Sequence, residues 1–183
     1  MSNEAAGNTN SMDHPGDYNL KSIVLINSVG KPLPLPLGTA TELNIYEDIN
    51  SNAVSGSVHI YDFNNIISNA ALQGNERLIF KLSTPGVSGK RIDTVDATEE
   101  TGYPFHIYAL TDRIVLSETS MTYTLHFCSN ELLRNVRTRV SRAYDGGFAE
   151  SVVCILRDKS GLNTKKDIYY EETRNADKIV IPN

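Results

Sequence analysis

Any chemistry in this chain must come from four histidines, two cysteines, two adjacent glutamate pairs and one run of arginines. His14, His59, His106 and His126 are far apart in sequence, and the last three lie in stretches that alternate apolar and polar residues. Acid–base or metal work needs imidazoles that converge on one point. No HxH or HExxH spacing brings two of them onto one strand face or helix turn. They read as strand histidines facing solvent or an interface. Cys128, in an expected strand, and Cys154, in an expected helix, offer neither a CxxC spacing nor a disulfide framework. No neighbouring sequence would stabilise a thiolate, so both are expected to be buried, inert thiols of a protein assembled in a reducing compartment.

Glu99-Glu100 and Glu171-Glu172 are the paired carboxylates. A glycosidase holds its two carboxyls on opposite sides of one bond, whereas neighbours along an extended chain face apart, so these read as solvated charges. No GxSxG elbow presents a serine nucleophile. Gly146-Gly147 lacks the lysine-serine or lysine-threonine pair of a phosphate loop and reads as the turn into a helix. The residues call for no metal or cofactor, and the chain is expected not to be an enzyme.

The segment LLRNVRTRVSR gathers Arg134, Arg137, Arg139 and Arg142, the one strongly basic run in a chain of net charge −5. Three readings fit it. It is a phosphate or DNA contact, a solvated basic patch, or an intersubunit contact. In the last case the guanidinium groups fork onto carboxylates of a neighbouring copy, such as Asp93, Asp96, Glu99 and Glu100 of the acidic loop that follows Leu82.

The elements that would position these groups are mostly strands. In Val54–Phe63, Val58, Ile60 and Asp62 fall on one face and His59, Tyr61 and Phe63 on the other, because strand side chains alternate. Leu78, Phe80 and Leu82 line one face of the next strand, entered through the turn chemistry of Gly74-Asn75. Further strands are expected at 18–27, 39–48, 105–116 and 121–128, and a terminal one at KIVI. In 121–128, Met121, Tyr123, Leu125 and Phe127 oppose Thr122, Thr124 and His126. KPLPLPLG, 31–38, should leave the sheet because proline donates nothing to a ladder. The polar stretch 87–102 reads as a flexible loop or a protruding hairpin. One helix is expected at 148–159, with Phe148, Val152, Ile155 and Leu156 at helical spacing and Gly161 as its stop.

The expected fold class is mainly β (α+β): a tail-tube-like antiparallel β-barrel or sandwich with one packed helix. Residues 1–17, polar and with little to bury, form a mobile arm. Residues 18–164 form the barrel domain, and 165–183 a strand or linker. An apolar share of 40% and a charged share of 21% are ordinary for a globular chain and argue against wholesale disorder. The acidic balance argues against a dedicated nucleic-acid binder. The N-terminus has no basic start followed by an apolar run, which argues against a signal peptide, and no stretch is long enough to cross a bilayer as a helix.

The succession IYD, NNI, GNE, then FHIYALTDRIVLS, LHFCSNELLRN, GGFAESVVCILRD, YYEET and KIVIPN resembles the N-terminal part of the central baseplate hub protein of T-even-type contractile-tailed bacteriophages. The resemblance runs from about Leu20 to Asn183. It implies a structural virion protein of the tail baseplate, assembled in the host cytoplasm as a homotrimeric, or else hexameric, ring. The ring would adapt the tail tube or tube-initiator protein to the central spike protein and surround a channel through which DNA passes, with no membrane insertion. In that family the IPN word leads into a second half, so the chain is expected to be the first part of a longer protein or a short relative. A tail-tube or tube-initiator protein is the nearest alternative. A carbohydrate-binding β-sandwich module or a small hydrolase comes from another class, and the absence of tryptophan weighs against the former.

Overall fold

The computed structural model describes residues 18–70, 72–85, 91–98, 103–174 and 177–182. The expected arm at 1–17, Glu99, Glu100 and the side chain of Asp93 lie outside the described residues. The chain divides into two compact units. One holds the chain up to Asn44 together with Ser57–Phe127, and the other holds Ile45–Gly56 together with Cys128–Asn183.

The mainly β class holds. The first eight strands are β1 (Asn19–Ile26), β2 (Pro32–Pro34), β3 (Ala40–Tyr46), β4 (Ser55–Asp62), β5 (Arg77–Pro85), β6 (Arg91–Asp96), β7 (Phe105–Val115) and β8 (Met121–Cys128), and a short helix α1 (Ile66–Ala70) lies between β4 and β5. They form one sheet in the order β2-β1-β5-β7-β8-β4-β3, with β6 also on β5. This sheet is open, so the expected closed barrel is not formed. Its two ends are β3 and the proline strand β2, and Pro32 and Pro34 offer no N–H with which a closing strand could pair. The 31–38 segment nonetheless joins the sheet: Leu33 faces Leu25 across an antiparallel pair, which an edge position allows.

β5 makes the sheet divide. Its pairing with β1 runs from Ile26↔Arg77 to Asn19↔Ser83 and occupies one edge. The other edge is shared. Arg77 and Leu78 face His106 and Phe105 of β7, while Lys81–Pro85 face β6. The 87–102 stretch thus contains a strand folded back on β5, the hairpin form of the two expectations. The alternation in sequence becomes the core: Ile23, Leu25, Val58, Ile60, Leu78, Phe80, Tyr123, Leu125 and Phe127 are all at most 1% exposed. Phe80, Phe105 and Phe127 meet with ring centroids 4.8–5.5 Å apart. Burying a side chain of this kind contributes about 1.5–3 kcal/mol.

The link from β4 to β5 is held by buried carboxylates. Asp62, fully buried, accepts the backbone N–H groups of Asn64 and Ile67, each at 3.0 Å, and the Tyr123 hydroxyl at 3.4 Å. Asn65 takes φ 54, a left-handed value that asparagine tolerates, which accounts for the Asn64-Asn65 pair. Glu76 accepts the N–H groups of Gln73 at 2.6 Å and Gly74 at 2.9 Å, and Gly74 supplies φ 90 for the turn.

The second unit contains α2 (Asn130–Arg137), β9 (Arg142–Gly146), α3 (Phe148–Arg157) and β10 (Asp177–Ile181). Two corrections arise here. The LLRNVR segment is a helix in addition to the one expected. The later helix also ends at Arg157, with Asp158 as its C-cap, while Gly161 packs against the Ile155 carbonyl and does not adopt a left-handed φ. The expected terminal strand pairs antiparallel with β9, Ile179 facing Tyr144. Within α3 the apolar stripe is not buried as expected: Phe148 is 65% exposed and Ser151 is the buried residue. A two-stranded sheet is too narrow to cover the whole stripe.

Candidate functional site

The arginine run is the one predicted site that the fold gathers. α2 begins after Ser129, whose hydroxyl accepts the Val54 N–H at 3.2 Å, and its first turn carries Glu131. Burial raises the Glu131 pKa, but the Thr164 hydroxyl at 2.8 Å and Lys166 at 3.7 Å help to outweigh it and hold the carboxyl below its ordinary value. Arg134 and Arg137 occupy the last turn, where positive charge complements the helix dipole. Beyond α2 the chain runs through Thr138–Ser141 into β9, bringing Arg139 and Arg142 beside the end of α3.

Two of the four arginines are engaged within the unit. Arg134 donates to the Lys159 carbonyl at 3.3 and 3.5 Å, satisfying backbone left over where α3 stops. Arg142 pairs with Asp158 at 3.2 Å, its guanidinium carbon 5.6 Å from the centre of the buried Tyr144 ring. Asp158 also accepts the backbone N–H of Ser160 at 2.9 Å and its hydroxyl at 2.8 Å. These bonds, the backbone one foremost, together with Arg142, hold its carboxyl below the ordinary value. Arg137 and Arg139 are exposed and have no hydrogen-bond or ion-pair partner among the described residues. A recess of about 150 Å³ opens here, lined by Arg139, Arg142, Tyr144, Asp158 and Ser160 among others.

Of the acidic half of the predicted contact, Asp96 and the backbone of Asp93 lie among the described residues. Asp96 ends β6 and accepts from Lys81 at 2.6 Å; that bond is the main cause holding its carboxyl below the ordinary value. Asp93 is a β6 residue facing Ser83 across the ladder. Asp158, Tyr144 and Ser160 were not singled out in the sequence. The only signal for them was the Asp158-Lys159-Ser160 word at the helix end, a common turn pattern with no bearing on arginines.

Among the described residues the histidines do not converge on a metal-binding cluster. His59 Nδ1 lies 3.1 Å from the Thr124 hydroxyl and His126 Nε2 lies 2.9 Å from that of Thr111. Among the described residues no three histidine, cysteine, aspartate or glutamate side chains come together to hold a metal ion. Cys128 is buried, and burial pushes its thiol up to about 11, as an inert thiol requires. Cys154 is exposed on α3, contrary to the expectation that both are buried.

A second feature concerns strands. β7 is 11 residues long, yet its pairing with β5 covers only Phe105 and His106, followed by the Ile107 N–H donating to the Glu76 carbonyl at 3.0 Å. From Tyr108 onward, no described strand other than β8 lies beside it. The same end of the hairpin exposes Ile114, Val115 and Leu116 at 57, 66 and 51%. No protein-family model matches the chain, and no curated protein matches it in sequence.

Proposed function

We propose that this chain is a structural subunit that assembles with copies of itself into a ring, acting as a central hub of a contractile-tail baseplate with no catalytic turnover. The observation that carries the reading is β7. A long strand whose edge from Tyr108 to Val115 meets no described strand but β8, with three exposed apolar residues at its end, is a template for pairing with another chain. A protein that stays alone blunts such an edge with charges, proline, a bulge or a covering loop; β7 has no lysine or proline, and its charges are confined to Asp112 and Arg113, where Asp112 takes a left-handed φ of 53.

The hub identity itself rests on the order of sequence words, from IYD to IPN. On it, the ring surrounds passing DNA and docks a tail-tube or tube-initiator protein on one side and a spike protein on the other. The chain's net charge of −5 suits a conduit that DNA must not bind. The nearest alternative is a tail-tube or tube-initiator protein, and symmetry separates the two. Negative-stain class averages of the purified protein should show rings with a central hole. Threefold averages support the hub and sixfold averages the tube, while fields of isolated globules at every concentration would overturn both.

A further inference from the structure

We propose that the recess between Arg139, Arg142 and Ser160 is a carboxylate socket that receives an acidic side chain from a second copy of this chain. The inference rests on the self-assembly reading and names one of its contacts.

The recess is built for one small anionic group. Its titratable lining groups are Arg139, Arg142, Tyr144 and Asp158, so two fixed positive charges face one negative charge. Both oxygens of Asp158 are already engaged: one accepts both Ser160 donors and the other accepts Arg142. Arg142 therefore spends a single N–H on Asp158 while its plane is steadied over the Tyr144 ring, leaving other donors of its five-donor fork for a ligand. Arg139 spends none on any described residue. Thr138, Ser141 and Ser160 also line the recess.

Size and charge choose the occupant. A volume of about 150 Å³ is below the roughly 300–1,000 Å³ of small-molecule sites. It has room for a carboxylate group on a short side chain. A planar fork paired with a planar carboxylate gives the strong bidentate geometry. The chain as a whole is rich in that partner, with 22 Asp and Glu against 17 Lys and Arg, so a basic recess is complementary in charge to a second copy. A DNA backbone would meet the same net negative charge as repulsion.

The test uses this chain with Arg139→Gln, which removes no hydrogen bond or ion pair among the described residues, and Arg142→Gln as a second variant, alongside wild type. Association is followed by sedimentation velocity. Binding of N-acetylglutamate, inorganic phosphate and a short DNA duplex is followed by NMR shifts of the Arg139, Arg142 and Ser160 signals. The proposal expects wild type to associate and R139Q to dissociate about ten- to a hundredfold more readily, with unchanged melting. It also expects N-acetylglutamate to shift those three signals in wild type only. If wild type and R139Q associate equally, the socket is wrong and the self-assembly reading stands. If wild type never associates, that reading falls and takes the second-copy occupant with it. If phosphate or DNA shifts the signals and N-acetylglutamate does not, the recess is a phosphate site and the proposal is overturned.

Discussion

Replacing Asp62 tests whether a buried carboxylate, with no cation beside it, holds the link between β4 and β5. The Asp62→Ala change removes the acceptor of two backbone N–H groups at 3.0 Å and of a hydroxyl at 3.4 Å, all at a residue with no solvent exposure. Leaving a buried donor unsatisfied costs about 1–3 kcal/mol; this applies in full to the buried Ile67 bond and only in part to that of the exposed Asn64, so the two bonds set a loss of about 1–5 kcal/mol. We expect about 3 kcal/mol, because a water entering the vacated space recovers part of the loss. For a chain of this size that is a fall in Tm of about 6–12 °C. Asp62→Asn should fall between wild type and alanine, since its amide keeps one acceptor but sets a donor against a donor. Tyr123→Phe removes only the long bond and should cost about 0.5–1 kcal/mol. The assay is urea unfolding followed by circular dichroism, with the slope m compared across variants so that a change in the denatured state is recognised. If Asp62→Ala unfolds at the wild-type urea midpoint, the carboxylate is not the anchor described and the turn is held by packing alone.

Other expectations concern pH, thiols and the bare edge. Because the folded Glu131 carboxyl titrates below its ordinary value of 4.5, its contribution is present above that pH and is lost as pH falls through the folded value. Glu131→Gln should therefore flatten the acid limb of a stability–pH curve, and an acid limb as steep as wild type would refute the assignment. A thiol reagent at neutral pH should label Cys154 quickly in the native protein and Cys128 only on unfolding, as mass spectrometry of the two peptides will show. Equal native rates would contradict the burial of Cys128. Val115→Lys, a gatekeeper charge on the β7 hairpin, should weaken self-association by about tenfold or more without lowering Tm; unchanged association would remove β7 from the interface.

The strands were legible because their alternation is a local property. Met121, Tyr123, Leu125 and Phe127 pack where period two puts them, and Val58, Ile60 and Asp62 share their face. What the sequence hid is set by pairing at a distance. The proline segment at 32–34 joins the sheet only because an edge position spares it the donors it lacks. α2 was missed because four arginines in LLRNVRTRVSR blur its apolar period, although Leu132 and Leu133 are half-buried within it. The exposure of Phe148 and Cys154 follows from how little of α3 a two-stranded sheet covers, which no helical period reveals. The arginines were visible as a run, but their division into Arg134 and Arg142, which brace the end of α3, and Arg137 and Arg139, which have no partner among the described residues, depends on where Asp158 and the Lys159 carbonyl arrive in space.

The central claim is self-assembly, and the solution mass tests it most directly. Multi-angle light scattering across a hundredfold range of concentration and at two salt levels should give three or six times the 20.2 kDa chain mass. A mass of one chain throughout would contradict the account.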